Sequence, residues 1–183
     1  PYLLYLGTLQ PRKNLVRLVE AFAASDLHNS GYALVLAGRA GWLAEPLPAA
    51  VRALPDAVQA RVLLPGYVDE ADKAALLSGA TALVFPSLYE GFGFPVLEAN
   101  ACGVPVVCAA TSSLPEVAGD AALLIDPLDT AALAEAMRRL VADETLRGRL
   151  IARGYANLSR FNWPTAAAQT LDVLEGAASS PFR

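Results

Sequence analysis

A chain of 183 residues is long enough for one domain with a sizeable core and short for two. Its 55% hydrophobic and 17% charged residues exclude a disordered chain, and a net charge of −4 with a pI near 5.0 excludes a general basic surface for nucleic acid or anionic membrane. No apolar run approaches the roughly 18 residues of a membrane span.

The first apolar run, Tyr2–Leu6, follows Pro1 directly. A core strand with no lead-in reads as a segment cut from a longer polypeptide, with the missing part mainly upstream. Further runs at Tyr32–Ala37, Arg61–Leu64, Ala82–Phe85, Val104–Cys108 and Ala122–Ile125 are mostly rich in Leu and Val without strict alternation, which predicts strands buried on both faces. Helical spacing lies between them. Leu15, Leu18, Val19 and Phe22 form one face, and Leu133, Met137, Leu140 and Val141 form another. Residues 41–56, with Pro46, Pro48 and Pro55, read as an irregular loop into a short helix. VDEADKAALL reads as a capped helix start, Asp129 or Thr130 caps the helix that follows Asp126-Pro127, and Trp163-Pro164 opens a last helix. Trp42 and Trp163 are assigned to packing. Residues 1–175 are expected to form the domain and 176–183 a frayed tail.

Alternating strands and helices predict an α/β fold, a doubly wound and mostly parallel sheet with helices on both faces. Ligands of such sheets lie outside the carboxyl ends of the strands. The chemistry is therefore sought in the loops at residues 7–14, 38–42, 66–68, 86–95 and 109–116. Cys102 and Cys108 sit in an apolar stretch and read as buried, reduced thiols. With His28 alone in its segment and no Cys/His spacing, no zinc site is expected.

The segment PSLYEGFGFPVLE is the most informative. A buried strand runs into a loop with Gly91 and Gly93, and a helix opens near Phe94–Pro95. Glycines permit close backbone approach, and free N–H groups at a helix start seat phosphate. Glu90 lies on the loop and Glu98 one turn into the helix, so a phosphate there would sit between two carboxylates. Spacing alone leaves open the plainer reading, in which a first-turn glutamate only offsets the helix dipole.

Glu90 and Glu98 have seven residues between them, in the form E-G-F-G-x-P-x-L-E-A-x-A-C-G-x-P-V. This resembles an element of the retaining glycosyltransferases with two Rossmann-like domains: family 4 type, glycosyl transferases group 1, GT-B fold. The resemblance extends to GTLQPRKNL, to Gly66-Tyr67-Val68, to LPEVAGDAALLIDPLDTAALAEAM and to FNWPTAA. It implies the donor-binding domain of such an enzyme, with the acceptor-binding N-terminal domain outside this chain.

The resemblance also implies roles. Glu98 would hold the ribose hydroxyls as a bidentate acceptor. Glu90, with Lys13 and Arg12, would be catalytic, Glu90 beside the donor sugar and the two cations on the diphosphate. The family commonly carries an arginine where this chain has Thr8, and Arg12 is the substitute. Two cations at a helix start oppose its dipole, a conflict that an anion would resolve. The N–H groups of Phe92, Gly93, Phe94 and Val96, with Gly91, Gly7 and Thr8, would line the sugar and diphosphate site. Gly38, Arg39, Tyr67 and Val68 would lie against the base. Glu116 is given a structural role or one at the donor's edge. No metal is required, and the donor is a nucleoside-diphosphate sugar, GDP-mannose favoured, with UDP- or ADP-sugars possible. The acceptor would be a sugar or a lipid-linked sugar, and the location the cytoplasm, or the inner membrane face through the missing part.

Two other classes compete. A nicotinamide-dependent dehydrogenase requires G-x-G-x-x-G after the first strand, which GTLQPRKN does not supply. A binding module without catalysis describes what the segment by itself is expected to be, holding nucleotide without efficient transfer. An inactive scaffold is disfavoured by intact Glu90, Glu98 and Lys13.

Overall fold

The computed structural model describes residues 1–179. Six parallel strands form one sheet: β1 (Tyr2–Leu6), β2 (Ala33–Ala37), β3 (Val62–Gly66), β4 (Ala82–Phe85), β5 (Val106–Ala109) and β6 (Ala122–Ile125). Their order is β3-β2-β1-β4-β5-β6. The chain therefore winds outward from β1 to β3, then returns to the other side of β1 to lay down β4 through β6. The crevice between the exits of β1 and β4 is the topological switch point, where open α/β sheets take their ligands.

Three strands keep their expected bounds, and the others shift for local reasons. β5 begins at Val106 because Pro105 has no N–H to enter the ladder, although its carbonyl accepts from Leu83 N–H at 3.0 Å. β3 runs on through Pro65 to Gly66, which an edge strand tolerates. The expectation of burial on both faces holds for β1, β2, β4 and β5 and fails at the edges. On β3, Leu63 and Leu64 are 48% and 41% exposed, and Leu124 on β6 is 41% exposed.

The helices are α1 (Leu15–Ala24), α2 (Pro46–Arg52), α3 (Asp56–Gln59), α4 (Glu70–Ser78), α5 (Phe94–Ala101), α6 (Leu114–Ala118), α7 (Thr130–Ala142), α8 (Glu144–Leu158) and α9 (Trp163–Ser179). Residues 41–56 are more regular than expected. Pro46 and Pro55 stand at the starts of α2 and α3, where a missing N–H costs nothing. Asp129 caps α7 by accepting from Ala132 N–H at 2.9 Å. Asp69 takes the N-cap position of α4, but its carboxylate caps nothing; only its carbonyl accepts, from Asp72 and Lys73 N–H. Helix α9 continues to Ser179, past the boundary expected at 175, and 180–183 lie outside the described residues.

One core fills the space between sheet and helices. Tyr5, Phe85 and Phe22 are its largest fully buried members, with Tyr5 and Phe85 stacked 5.8 Å apart on neighbouring strands. Helix α1 packs on α7 and α5 on α8. Cys108 belongs to this core, where burial pushes its thiol up to about 12. Cys102, at the end of α5, is only half-buried. Both tryptophans depart from their assigned packing role, Trp42 being 80% and Trp163 78% exposed. Trp42 lies on the β2–α2 loop and Trp163 on the first residue of α9, both beyond the reach of the core.

Asn14 fastens the β1 loop to the switch point. It caps α1 in the left-handed region, with φ at 61°, a conformation asparagine accepts more readily than most residues. Its buried amide donates to the carbonyls of Pro86, at 3.2 Å, and Pro127, at 2.7 Å, and so ties the exits of β4 and β6 to that of β1. Asn14→Ala should lower unfolding free energy by about 3 kcal/mol, from two hydrogen bonds near 1 kcal/mol each and left-handed strain of similar size. Asn14→Gly should lose about 1 kcal/mol less. Urea denaturation of both variants measures the difference.

Candidate functional site

Two loops meet at the switch point. From the exit of β1, Pro11–Lys13 form a single 3-10 turn; from the exit of β4, residues 86–93 run to the start of α5. Leu88 N–H donates to the Arg12 carbonyl at 2.8 Å, so backbone joins backbone. The charges then pair across the join. Lys13 donates to Oε1 of Glu90, while Arg12 Nη1 donates to Oε2 at 3.1 Å and to the Tyr89 carbonyl at 2.7 Å. The side chains of Lys13 and Glu90 are 9% and 8% exposed, against 45% for Arg12. The anion that the two cations required is thus supplied from within the chain.

The pair lies above a buried aromatic floor. The Lys13 ammonium stands 5.1 Å from the centre of the Phe85 ring, and Tyr5 behind it donates its hydroxyl to the Thr8 carbonyl at 3.1 Å. Burial pushes the Lys13 pKa down, against the pull of Glu90. Burial pushes the Glu90 carboxyl up, but the hydrogen bonds of Lys13 and Arg12 and the charge of Lys13 outweigh it, and Glu90 titrates below its ordinary value. Burial, with Glu90 nearby, raises Tyr5 far out of the physiological range.

A trio after β5 braces the glutamate loop. Ser112 Oγ accepts from Glu90 N–H at 3.0 Å, and the Ser113 hydroxyl lies 3.0 Å from the Glu90 carbonyl and 2.7 Å from that of Phe92. Thr111 donates to the carbonyls of Ser87 and Leu88. Gly93 takes a φ of 111°, which favours glycine, and a Cβ there would come within 2.7 Å of a Leu114 methyl that would have to shift. Gly91 is different. Its φ is not left-handed and a Cβ would meet open space, so the fold of this chain does not itself demand a glycine there.

Helix α5 opens behind this loop. Among the described residues, the N–H groups of Gly91, Phe92, Gly93 and Phe94 have no acceptor. Val96 leaves the expected donor set: its N–H donates to the Gly93 carbonyl at 3.0 Å and its side chain is fully buried. Glu98 lies one turn on, where Oε1 accepts from Lys73 at 2.8 Å.

A cleft of about 280 Å³ lies on the Glu98 side of the start of α5, lined by Pro95, Glu98 and Lys73 but not by Arg12, Lys13 or Glu90. Its walls include Gly7, Thr8, Gly38, Arg39, Tyr67, Val68 and Glu98, all singled out from sequence, and three loops and the helices α4 and α5 contribute to it. Gly7 and Gly38 meet backbone to backbone, and a side chain on Gly38 would collide with the Gly7 carbonyl. Arg39 stacks on the Tyr67 ring at 4.1 Å. Glu116 lies away from this wall, its side chain exposed on α6 and its carbonyl accepting from Arg160 at 3.0 Å.

The family model described as "Glycosyl transferases group 1" matches residues 1–157. The chain belongs to the group 1 glycosyl transferases. It is 40% identical over 173 residues to the O-antigen chain mannosyltransferase B of Escherichia coli, covering 94% of this chain and 45% of that protein. It is 30% identical over 169 residues to the serotype-specific mannosyltransferase WbdA of Escherichia coli, covering 91% of this chain and 20% of that one. Among solved structures, sucrose-phosphate synthase from Thermosynechococcus elongatus superposes with a TM-score of 0.82 at 30% identity, covering 98% of this chain and 46% of that one. The chain therefore spans less than half the length of these relatives.

In this group 1 glycosyl transferase chain, several contributors to the site were not singled out from sequence. Lys73 and Glu70 line the cleft from a segment read only as a helix start, because nothing in their local pattern reveals that α4 packs against α5. Thr111, Ser112 and Ser113 fell in a searched loop, and a run of three hydroxyl residues after a strand was their available signal.

Glu90→Leu should cost about 3 kcal/mol of stability at neutral pH, because it strands a buried ammonium. The Lys13 pKa is already depressed and would fall further, so the unfolded chain binds the extra proton. The deficit should therefore shrink as pH rises toward the ordinary lysine value of 10.5. The double variant with Lys13→Met should recover much of the loss at pH 7. Urea denaturation across pH 6–10, roughly the span between neutral and that lysine value, checks both outcomes.

Proposed function

We propose that this chain is the donor-binding half of a retaining glycosyltransferase that transfers a sugar, mannose favoured, from a nucleoside-diphosphate sugar. The observation that carries the reading is the meeting of two cations with four acceptor-free N–H groups at the switch point. That combination suits a diphosphate, whose charge is met by Lys13, Arg12 and the N-terminus of α5. Gly91 leaves open space where the donor would approach the loop.

In this reading Glu90 has two functions. Before donor binds it balances the charge of Lys13 and Arg12; with donor present it stands beside the sugar and holds a hydroxyl. The cations, already fixed beneath the loop, then stabilise the diphosphate as the glycosidic oxygen departs with its bonding electrons. Glu98 accepts from the ribose hydroxyls, and the base lies toward Gly38, Arg39, Tyr67 and Val68. The 40% identity to an O-antigen mannosyltransferase supports mannose as the sugar, and GDP-mannose is the favoured donor over UDP- or ADP-sugars. The acceptor, a sugar or lipid-linked sugar, would be recognised by an N-terminal domain outside this chain. No helix among the described residues is long and apolar enough to cross a membrane. We place the enzyme in the cytoplasm, where its donor is made, and at the inner membrane face if the rest of the protein attaches it there.

Calorimetric titration with GDP, UDP, ADP and NAD tests the reading. One diphosphate should bind best, and Glu98→Ala should cost that nucleotide on the order of 1–3 kcal/mol, the value of a hydrogen bond to a charged group. Equal binding of all four, or a preference for NAD, would overturn it. The chain alone should transfer no sugar at a useful rate, and appreciable transfer to a mannoside would refute the division of labour.

A further inference from the structure

Lys73 lies on α4, outside every motif that carries the family resemblance, yet its ammonium stands in the cleft between two carboxylates. Nζ is 2.8 Å from Oε1 of Glu98 and 2.9 Å from Oε1 of Glu70. The bond to Glu98 crosses from α4 to α5, and the side chains are 23% and 30% exposed. By contrast, the pairs Arg138–Glu135 and Arg153–Asp120 are 42% or more exposed on both partners and away from the cleft. Pairs of that exposed kind contribute little. Lys73–Glu98 is set where a ligand would meet it.

We infer that Lys73 is a positioning residue for Glu98: it fixes the carboxylate that receives the ribose diol and makes the site select ribose over deoxyribose. This rests on the assignment of Glu98 to the ribose. Three consequences follow from the geometry. Lys73 occupies Oε1 and leaves Oε2 to accept from a hydroxyl, while Oε1 keeps a lone pair for the neighbouring one. A glutamate held in one rotamer loses less conformational freedom when ligand binds than a free one does. Removing the ammonium would also leave Glu98 without the charge that holds it, free to turn toward solvent and away from the diol, while Glu70, 83% exposed, is screened and adds little. Burial opposes but does not overcome the two carboxylates, which hold the Lys73 pKa above its ordinary value, so the ammonium persists through the physiological range.

The test compares nucleoside diphosphates with their 2′-deoxy forms by calorimetry, using GDP, UDP and ADP and carrying forward the tightest. Wild type should favour the ribo form by about tenfold, the scale of one charge-assisted hydrogen bond. Glu98→Gln should abolish most of that ratio, which establishes the ribose assignment by itself. Lys73→Met and Lys73→Gln should each weaken the ribo form about five- to tenfold, leave the deoxy form nearly unchanged and bring the ratio close to one. Lys73→Arg should restore the ratio, and thermal unfolding should stay near that of wild type for all three. A general packing loss would weaken both forms equally, and that result overturns the inference. So does an unchanged ratio in Lys73→Met beside a lost one in Glu98→Gln. If Glu98→Gln keeps the ratio, or no diphosphate binds, the ribose assignment falls and the inference with it.

Discussion

An ammonium and a carboxylate, both almost wholly withdrawn from water, face each other between the exits of β1 and β4. Neither could remain charged there alone, because desolvation would drive each toward its neutral form. Together, with Arg12 reaching in from the solvent side, they stay ionised. The arrangement holds two positive charges at the switch point of the sheet against the single carboxylate of Glu90. Everything proposed for the diphosphate depends on those charges being present and fixed before ligand arrives.

The surrounding structure restrains that pair from three sides. Asn14 holds the β1 loop to the exits of β4 and β6 through two backbone carbonyls. Residues 111–113 hold the glutamate loop from the exit of β5. Phe85 and Tyr5 form a floor that cannot move without disturbing the core. A site made only of loops would be mobile; here each loop is fastened to a neighbouring strand's exit, so the scaffold transmits its rigidity to the charges. Under the proposed function, such strong local pairing would make ligand binding an exchange, in which Glu90 surrenders part of its hold on the cations to the phosphate oxygens.

The second carboxylate is governed by different physics. Glu98 stands in a partly open cleft and is oriented by a lysine from another helix, with no buried partner. Its contribution is directional, where that of Glu90 is largely electrostatic. Beyond the cleft, Phe92, Phe94, Phe161 and Trp163 line an open apolar groove of about 610 Å³ against α9. Leu171, Val173 and Leu174 on that helix are more than half exposed. This end of the molecule is thus much less packed than the sheet, where the central strands are sealed on both faces.

Much of this was legible in the residues themselves. Strand and helix periods are local properties, so the six strands and the α/β class could be read within a few residues, and Gly93 and Pro95 marked the start of α5 because their backbone demands are local too. The glutamate spacing and the resemblance it carries singled out Glu90, Glu98 and Lys13. Tertiary structure alone decided who partners whom. The sequence separations of 77 from Lys13 to Glu90 and of 25 from Lys73 to Glu98 are closed by strand order and helix packing, which no local pattern encodes. Exposure was settled at the same level: the tryptophans and edge strands looked like core because hydrophobicity says what a side chain prefers, while only the completed fold decides which of those preferences are met.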